Sequence, residues 1–129
     1  MEKKGLVICD TNILIEVIDR NNKKIIESLV ELGEGNLCVS SVTYSELLLG
    51  AVNRLHFSLL LTELEKFILI PIDNQIDQLH RKLIKQYSLS HRLSIQDASI
   101  ASTALHYDLD LFTLNMKDFR FIEGLKILD

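Results

Sequence analysis

The sequence predicts a three-layer α/β/α sandwich around a mainly parallel sheet of four to five strands. Three observations carry that reading. Short apolar runs alternate with longer stretches whose apolar residues recur every three or four positions, the pattern of strands joined by helical crossovers. The first run, Leu6-Val7-Ile8-Cys9, is apolar at every position, as a central parallel strand buried on both faces must be. The chain of 129 residues is 47% hydrophobic and 25% charged, enough for one core, and its single Pro and five Gly leave little room for long loops. No internal repeat, low-complexity tract or linker divides it, so residues 1–129 are expected to form one domain.

The first strand ends at Asp10-Thr11-Asn12, a polar cluster suited to cap a helix starting near Ile13. Asn21-Asn22 breaks that helix, and a second covers about 23–32 with Gly33 as its stop. Residues 36–40 contain Leu37, Cys38 and Val39, a second strand. Residues 41–54 read as a helix with Leu47, Leu48 and Ala51 on its apolar face, and 56–67 as another, rich in Leu. Residues 68–72 form a third strand. Pro71 within it has no N–H for a ladder, so the strand lies at an edge or ends there. A long amphipathic helix fits 75–87, on Ile76, Leu79, Leu83 and Tyr87, and after a break another runs from about 95 to 106. Residues 111–113 and 125–128 supply the fourth and fifth strands.

A formal charge of −4, from 14 Lys and Arg against 18 Asp and Glu, excludes a protein that stores nucleic acid on bulk positive charge. It does not exclude an enzyme that touches nucleic acid briefly. Cys9 and Cys38 both fall in strands and read as buried, reduced thiols, which suits a cytoplasmic location. The opening apolar segment meets Asp10 too soon for a signal peptide, and no stretch approaches the roughly 18 uncharged apolar residues of a membrane span. His56, His80, His91 and His106 are scattered, with no pair at zinc spacing. The absence of a Gly-rich phosphate loop and of a Gly-x-Ser-x-Gly elbow removes NTPase and serine hydrolase readings.

Binding sites of parallel α/β sheets form outside the carboxyl ends of the strands. Asp10 follows strand one, Glu46 lies in the first turns of the helix after strand two, and Thr113, Asn115 and Asp118 follow strand four. Asp97 begins the helix leading into strand four, which starts at the same edge in a right-handed crossover. Asp10, Glu46, Asp97 and Asp118 are therefore expected at one rim. No Lys or Arg stands within two positions of Asp10, Glu46 or Asp97. Clustered, unpaired carboxylates resist ionising unless a cation neutralises them. Mg²⁺ does so with one or two direct carboxylates and several waters, and such a site can drive phosphoryl displacement. Helix N-termini at Asn12 and near Gln96 would add positive partial charge. Taken singly, any one of these acids reads as a helix cap or a solvated side chain; the site reading rests on their convergence.

The residues carrying this pattern resemble a known family. Val7-Ile8-Cys9-Asp10-Thr11-Asn12-Ile13-Leu14 resembles the strand-one motif of PIN-domain nucleases, specifically the VapC-like toxins of type II toxin–antitoxin pairs. Ser41-Val42-Thr43-Tyr44-Ser45-Glu46-Leu47 with Gly50, then Gln96-Asp97-Ala98-Ser99-Ile100-Ala101-Ser102-Thr103-Ala104, then Leu111-Phe112-Thr113-Leu114-Asn115-Met116-Lys117-Asp118-Phe119, are similar to the second, third and fourth motifs, in the family's order. The resemblance implies a Mg²⁺-dependent endoribonuclease, with Mn²⁺ able to substitute, that is neutralised by a cognate antitoxin and forms a homodimer. By position, Asp10 and Asp97 would hold the metal, Glu46 would complete the acidic cluster, and Thr113 would support Asp10 through a hydrogen bond. Relatives carry the fourth acid at the position of Asn115 or of Asp118. Asn115 is neutral, so Asp118 is the candidate, with Asn115 and Asn12 as supporting residues, and one metal or two stays open.

Arg92, Lys117 and Arg120 are candidate RNA phosphate contacts, while Lys82 and Lys85 read equally well as a solvated helix face. Leu59, Leu60 and Leu61 are expected at a dimer seam or an antitoxin groove. Two other functions fit parts of the pattern. A phosphoacceptor receiver would use Asp73, which ends strand three, but strand one then needs a second acid and the last strand a Lys. A PIN fold that only binds partners would not need Asp10, Glu46 and Asp97 together.

Overall fold

The computed structural model describes residues 5–128. The all-apolar first run forms β1 (Val7–Cys9), buried at every position, and lies at the centre of the sheet. Beside it stands β2 (Leu37–Ser40), with Val7 opposite Leu37 and Ile8 opposite Cys38. On its other side is β4 (Asp110–Phe112), with Ile8 opposite Leu111 and Cys9 opposite Phe112. The edges are β3 (Ile68–Ile70) and β5 (Lys126–Ile127). The order is β3-β2-β1-β4-β5 and every neighbouring pair is parallel, so the predicted three-layer α/β sandwich is observed with five strands. Ile68 and Leu69 are exposed in β3, and the strand ends before Pro71, which satisfies both readings of that proline.

Strand side chains alternate between two cores. Ile8, Cys38, Ile70 and Leu111 face α5 (Asn74–His91) and α6 (Ile95–Tyr107). Val7, Cys9, Leu37 and Val39 face α1 (Thr11–Ile18), α2 (Lys23–Leu32), α3 (Ser41–Leu49) and α4 (Arg54–Leu64). Cys9 and Cys38 are buried and free, and they stand in opposite cores, so no disulfide can join them. Burial pushes the Cys9 thiol up to about 12 and the Cys38 thiol to about 11, which leaves both inert.

Seven successive residues of α6, Ala98 to Ala104, are buried. The helix is covered on all sides, between sheet, α5 and α3. Its small residues allow that approach, and its hydroxyls are satisfied locally. Ser102 and Thr103 donate to the Ser99 carbonyl at 3.0 and 2.8 Å, and the Ser99 hydroxyl meets His80 Nδ1 at 3.0 Å.

Several boundaries differ from the sequence reading. The helix expected to begin near Ile13 starts at Thr11, and within the polar cluster Asp10 is its cap. The helix expected over 41–54 ends at Leu49, because Gly50 closes it and Asn53 caps α4 by accepting from the His56 N–H at 2.8 Å. The break expected at residue 88 comes four residues later, where Arg92 adopts a left-handed conformation (φ 52°) and ends α5. The expected stop at Gly33 is observed, at φ 96°. Leu60 is 1% exposed and belongs to the core under the sheet, so it cannot form a docking seam; Leu59, at 45%, faces outward. The apolar spacing of α4 could not separate the two.

Candidate active site

The carboxyl ends of β1, β2 and β4 and the first turn of α6 surround a cleft of about 310 Å³, lined by Asp10, Thr11, Asn12, Ile15, Glu46, Gln96, Asp97, Ile100, Asn115 and Asp118. Asp10 leaves β1 in an extended conformation and is 5% exposed. Its main-chain N–H extends the ladder to the Phe112 carbonyl at 3.0 Å. The Thr11 N–H donates to Asp10 Oδ1 and the Thr113 hydroxyl to Oδ2, both at 2.8 Å. The Asn115 N–H donates to Thr113 Oγ1 at 3.0 Å, which leaves the Thr113 proton directed at Asp10.

Glu46 reaches the cleft from the second turn of α3. The Thr11 hydroxyl donates to its Oε1 at 3.3 Å and the Gln96 side-chain amide to its Oε2 at 2.7 Å. Asp97 stands in the first turn of α6, whose N-terminus is capped by Ser94 Oγ accepting the Asp97 N–H at 3.0 Å. Asp118 closes a short 3₁₀ turn, Met116–Asp118, and is exposed at the cleft wall.

The electrostatics are those of acids without counter-charges. None of the ion pairs among the described residues includes Asp10, Glu46, Asp97 or Asp118. Burial raises the Asp97 carboxyl to about 6, helped by the charges of Asp10, Asp118 and Glu46. Burial likewise raises Asp10 above the ordinary carboxylate range, against the bonds from Thr113 and Thr11, and raises Glu46. Among the described residues no group of three or more His, Cys, Asp or Glu side chains is arranged to hold a metal ion by itself. The donor set suits a hard cation that keeps most of its waters, for which one or two carboxylates suffice. A zinc-type cage would require more ligands and softer ones.

The structure thus brings all four predicted acids, Asn12 and Asn115 to one cleft, with Thr113 behind Asp10. Arg92, Lys117 and Arg120 are exposed and none of them lines it. Asp73 caps α5, accepting the Ile76 N–H at 2.8 Å, and stands outside the cleft. Sequence reasoning missed Thr11, Thr43, Ser40 and Gln96 as parts of the acid framework. The available signal was the group of hydroxyls Ser40, Ser41 and Thr43 at the second motif, which the sequence reading left without a role, and Thr11, which read only as part of a capping cluster. A separate groove of about 370 Å³ runs between α1, α2 and α4, with Val17, Ile18, Leu29, Leu59 and Phe67 among its apolar walls and Glu34, Glu63 and Lys66 among its charged ones.

An all-parallel sheet with acids gathered and unpaired at its carboxyl edge defines the class: an α/β domain with an acidic cleft suited to a hard cation. The PIN domain pattern matches residues 7–124, and the chain belongs to the PIN-domain family, whose members are in general nucleases. That membership removes the receiver reading and bears out the resemblance to VapC-like PIN domains drawn from the four motifs. No curated protein matches the sequence. Among solved structures, a toxin–antitoxin complex from Klebsiella pneumoniae is similar at 28% identity and a TM-score of 0.79, over 95% of this chain and 96% of that one. VapBC-1 from nontypeable Haemophilus influenzae is similar at 27% and 0.81, over 96% and 97%. DNA-bound VapBC from Salmonella typhimurium is similar at 25% and 0.82, over 97% and 98%.

Proposed function

We propose that the protein is a Mg²⁺-dependent endoribonuclease, with Mn²⁺ able to substitute, and the toxin of a toxin–antitoxin pair. The observation that carries this reading is the set of four carboxylates around one cleft, none of which forms an ion pair among the described residues. Asp10 and Asp97 would hold the metal. Asp10 is the more rigid of the two, since each oxygen already accepts one bond and keeps a lone pair for the cleft. When bound, a divalent cation supplies charge that neutralises the cluster and activates water for in-line attack on a phosphodiester.

The chain's own residues do the rest. Glu46 and Asp118 flank the cleft as acceptors that orient the attacking water, and Asn115 and Asn12 offer amides to the scissile phosphate. The N-terminus of α6 adds its partial positive charge beside Asp97. Arg92, Lys117 and Arg120 hold the RNA backbone outside the cleft. The antitoxin partner is supported by the VapBC complexes this chain is similar to, and the groove under Leu59 suits an apolar segment of it. We assign the chain to the cytoplasm, as a homodimer of single-domain protomers.

The test is cleavage of RNA by the purified protein with Mg²⁺ and with a chelator. Asp10→Asn and Asp97→Asn, checked for folding by circular dichroism, are expected to cut more than about a hundredfold more slowly than the parent. Equal cutting by parent and both variants would refute the mechanism.

A further inference from the structure

Three hydroxyls run back from Glu46 into the core. The Thr11 hydroxyl donates to Glu46 Oε1 at 3.3 Å, Thr11 and Thr43 hydroxyls lie 3.1 Å apart, and the Ser40 hydroxyl donates to Thr43 Oγ1 at 3.3 Å. Ser40 also accepts the Thr43 N–H at 3.2 Å, and both residues are completely buried. Each hydroxyl has one proton to give. An ionised Glu46 can only accept, so Thr11 must give its proton to Glu46, Thr43 must give its own to Thr11, and Ser40 to Thr43. The carboxylate thereby fixes the direction of every bond in the chain. Thr11 also donates its main-chain N–H to Asp10 Oδ1, so this one residue holds a carboxylate from β1 and another from α3 in fixed relation. The chain ends in the core at Ser40 and reaches no solvent there, which makes it an orienting device and not a route for protons.

We propose that Thr11, backed by Thr43 and Ser40, is a positioning residue that aims Glu46 at the reacting centre. The proposal rests on the endoribonuclease reading above. Thr11→Val removes the bond to Glu46 while leaving the main-chain bond to Asp10, and Thr11→Ser restores the hydroxyl. Cleavage of RNA is measured at saturating Mg²⁺, and Mn²⁺ affinity is measured by calorimetry without RNA. Thr11→Val is expected to lower kcat by roughly tenfold to a hundredfold, the range for a hydrogen bond to a charged group, with KM for RNA within about twofold. It is also expected to weaken Mn²⁺ binding about threefold, through loss of the acidic framework's order. Thr11→Ser returns both values to within about threefold of the parent, and Thr43→Val gives an intermediate loss. Thr11→Ala gives the same comparison should valine disturb folding. A parent that cleaves alongside an undiminished Thr11→Val overturns this inference alone, as does a serine variant as impaired as the valine one. A parent that neither cleaves RNA nor binds Mn²⁺ overturns the nuclease reading itself.

Discussion

Asp97 concentrates the electrostatic conflict of the cleft, being half-buried, at the positive end of α6, and facing three other acids. Its carboxyl is raised to about 6 in the folded protein against an ordinary value near 4, so folding takes up a proton between those values. The sign follows. This group favours the folded state at pH 4 and below, and that contribution is lost as pH rises through about 6. Above pH 7 the metal-free protein carries the full penalty, about 1 kcal/mol after allowance for solvent screening of a half-exposed group. Asp97→Asn is therefore expected to raise Tm by a few degrees at pH 7.5, with the gain vanishing near pH 4. Mg²⁺ is expected to raise the parent's Tm but not the variant's. Thermal melts across that pH range, with and without Mg²⁺, check both statements.

At the scale of elements, α6 makes the strongest demand, since seven successive buried residues leave it no solvent face. Ala101 lies completely buried in the core shared by the sheet and α5. Ala101→Leu adds three heavy atoms where packing is already closed, and is expected to destabilise by roughly 1–3 kcal/mol, measured by urea denaturation. Because α6 also presents Asp97 and Gln96, the same change is expected to slow cleavage more than it weakens Mn²⁺ binding. Asp10 and Asp97 were legible because one ends an apolar run and the other starts a helix, and Glu46 and Asp118 because they lie in the segments that follow β2 and β4, which topology sends to the carboxyl edge. The hydroxyl chain was not legible. Thr11 meets Thr43 across 32 positions and Glu46 across 35, and local pattern gives Ser40 and Thr43 complete roles as cap and helix residue. The ends of α3 and α5 were misread for a related reason. Arg92 ends α5 in a left-handed conformation, and Asn53 caps a new helix soon after α3, neither of which apolar periodicity records. Leu59 and Leu60 illustrate the same limit in packing: neighbours of identical chemistry, one on the groove wall and one in the core.

For the whole molecule, a charge of −4 limits how the RNA of the proposed reaction could be held. The 14 Lys and Arg are outnumbered by 18 acids, and the proposed phosphate contacts Arg92, Lys117 and Arg120 are exposed, outside the cleft lining, and screened by salt. RNA binding by the metal-free protein is expected to be weak and to fall with rising NaCl, with a slope matching only two or three phosphate contacts. Mg²⁺ is expected to tighten it through the cleft, and Asp10→Asn to abolish that gain. Filter binding of a short RNA at several salt concentrations measures both. A slope corresponding to six or more contacts would place the main RNA surface elsewhere on the molecule.

The bond between Thr113 and Asp10 closes 103 positions of sequence. The strand that carries Asp10 is made first but sits in the middle of the sheet, and it lacks a neighbour on one side until β4 exists. Ordering so distant a contact is slow, and during synthesis it cannot begin before Thr113 has been added. A growing chain on the ribosome therefore carries Asp10 and Glu46 through most of its elongation without an assembled cleft. On the endoribonuclease reading proposed above, the nascent polypeptide carries its acids without the cleft that would cut RNA until β4 has been made.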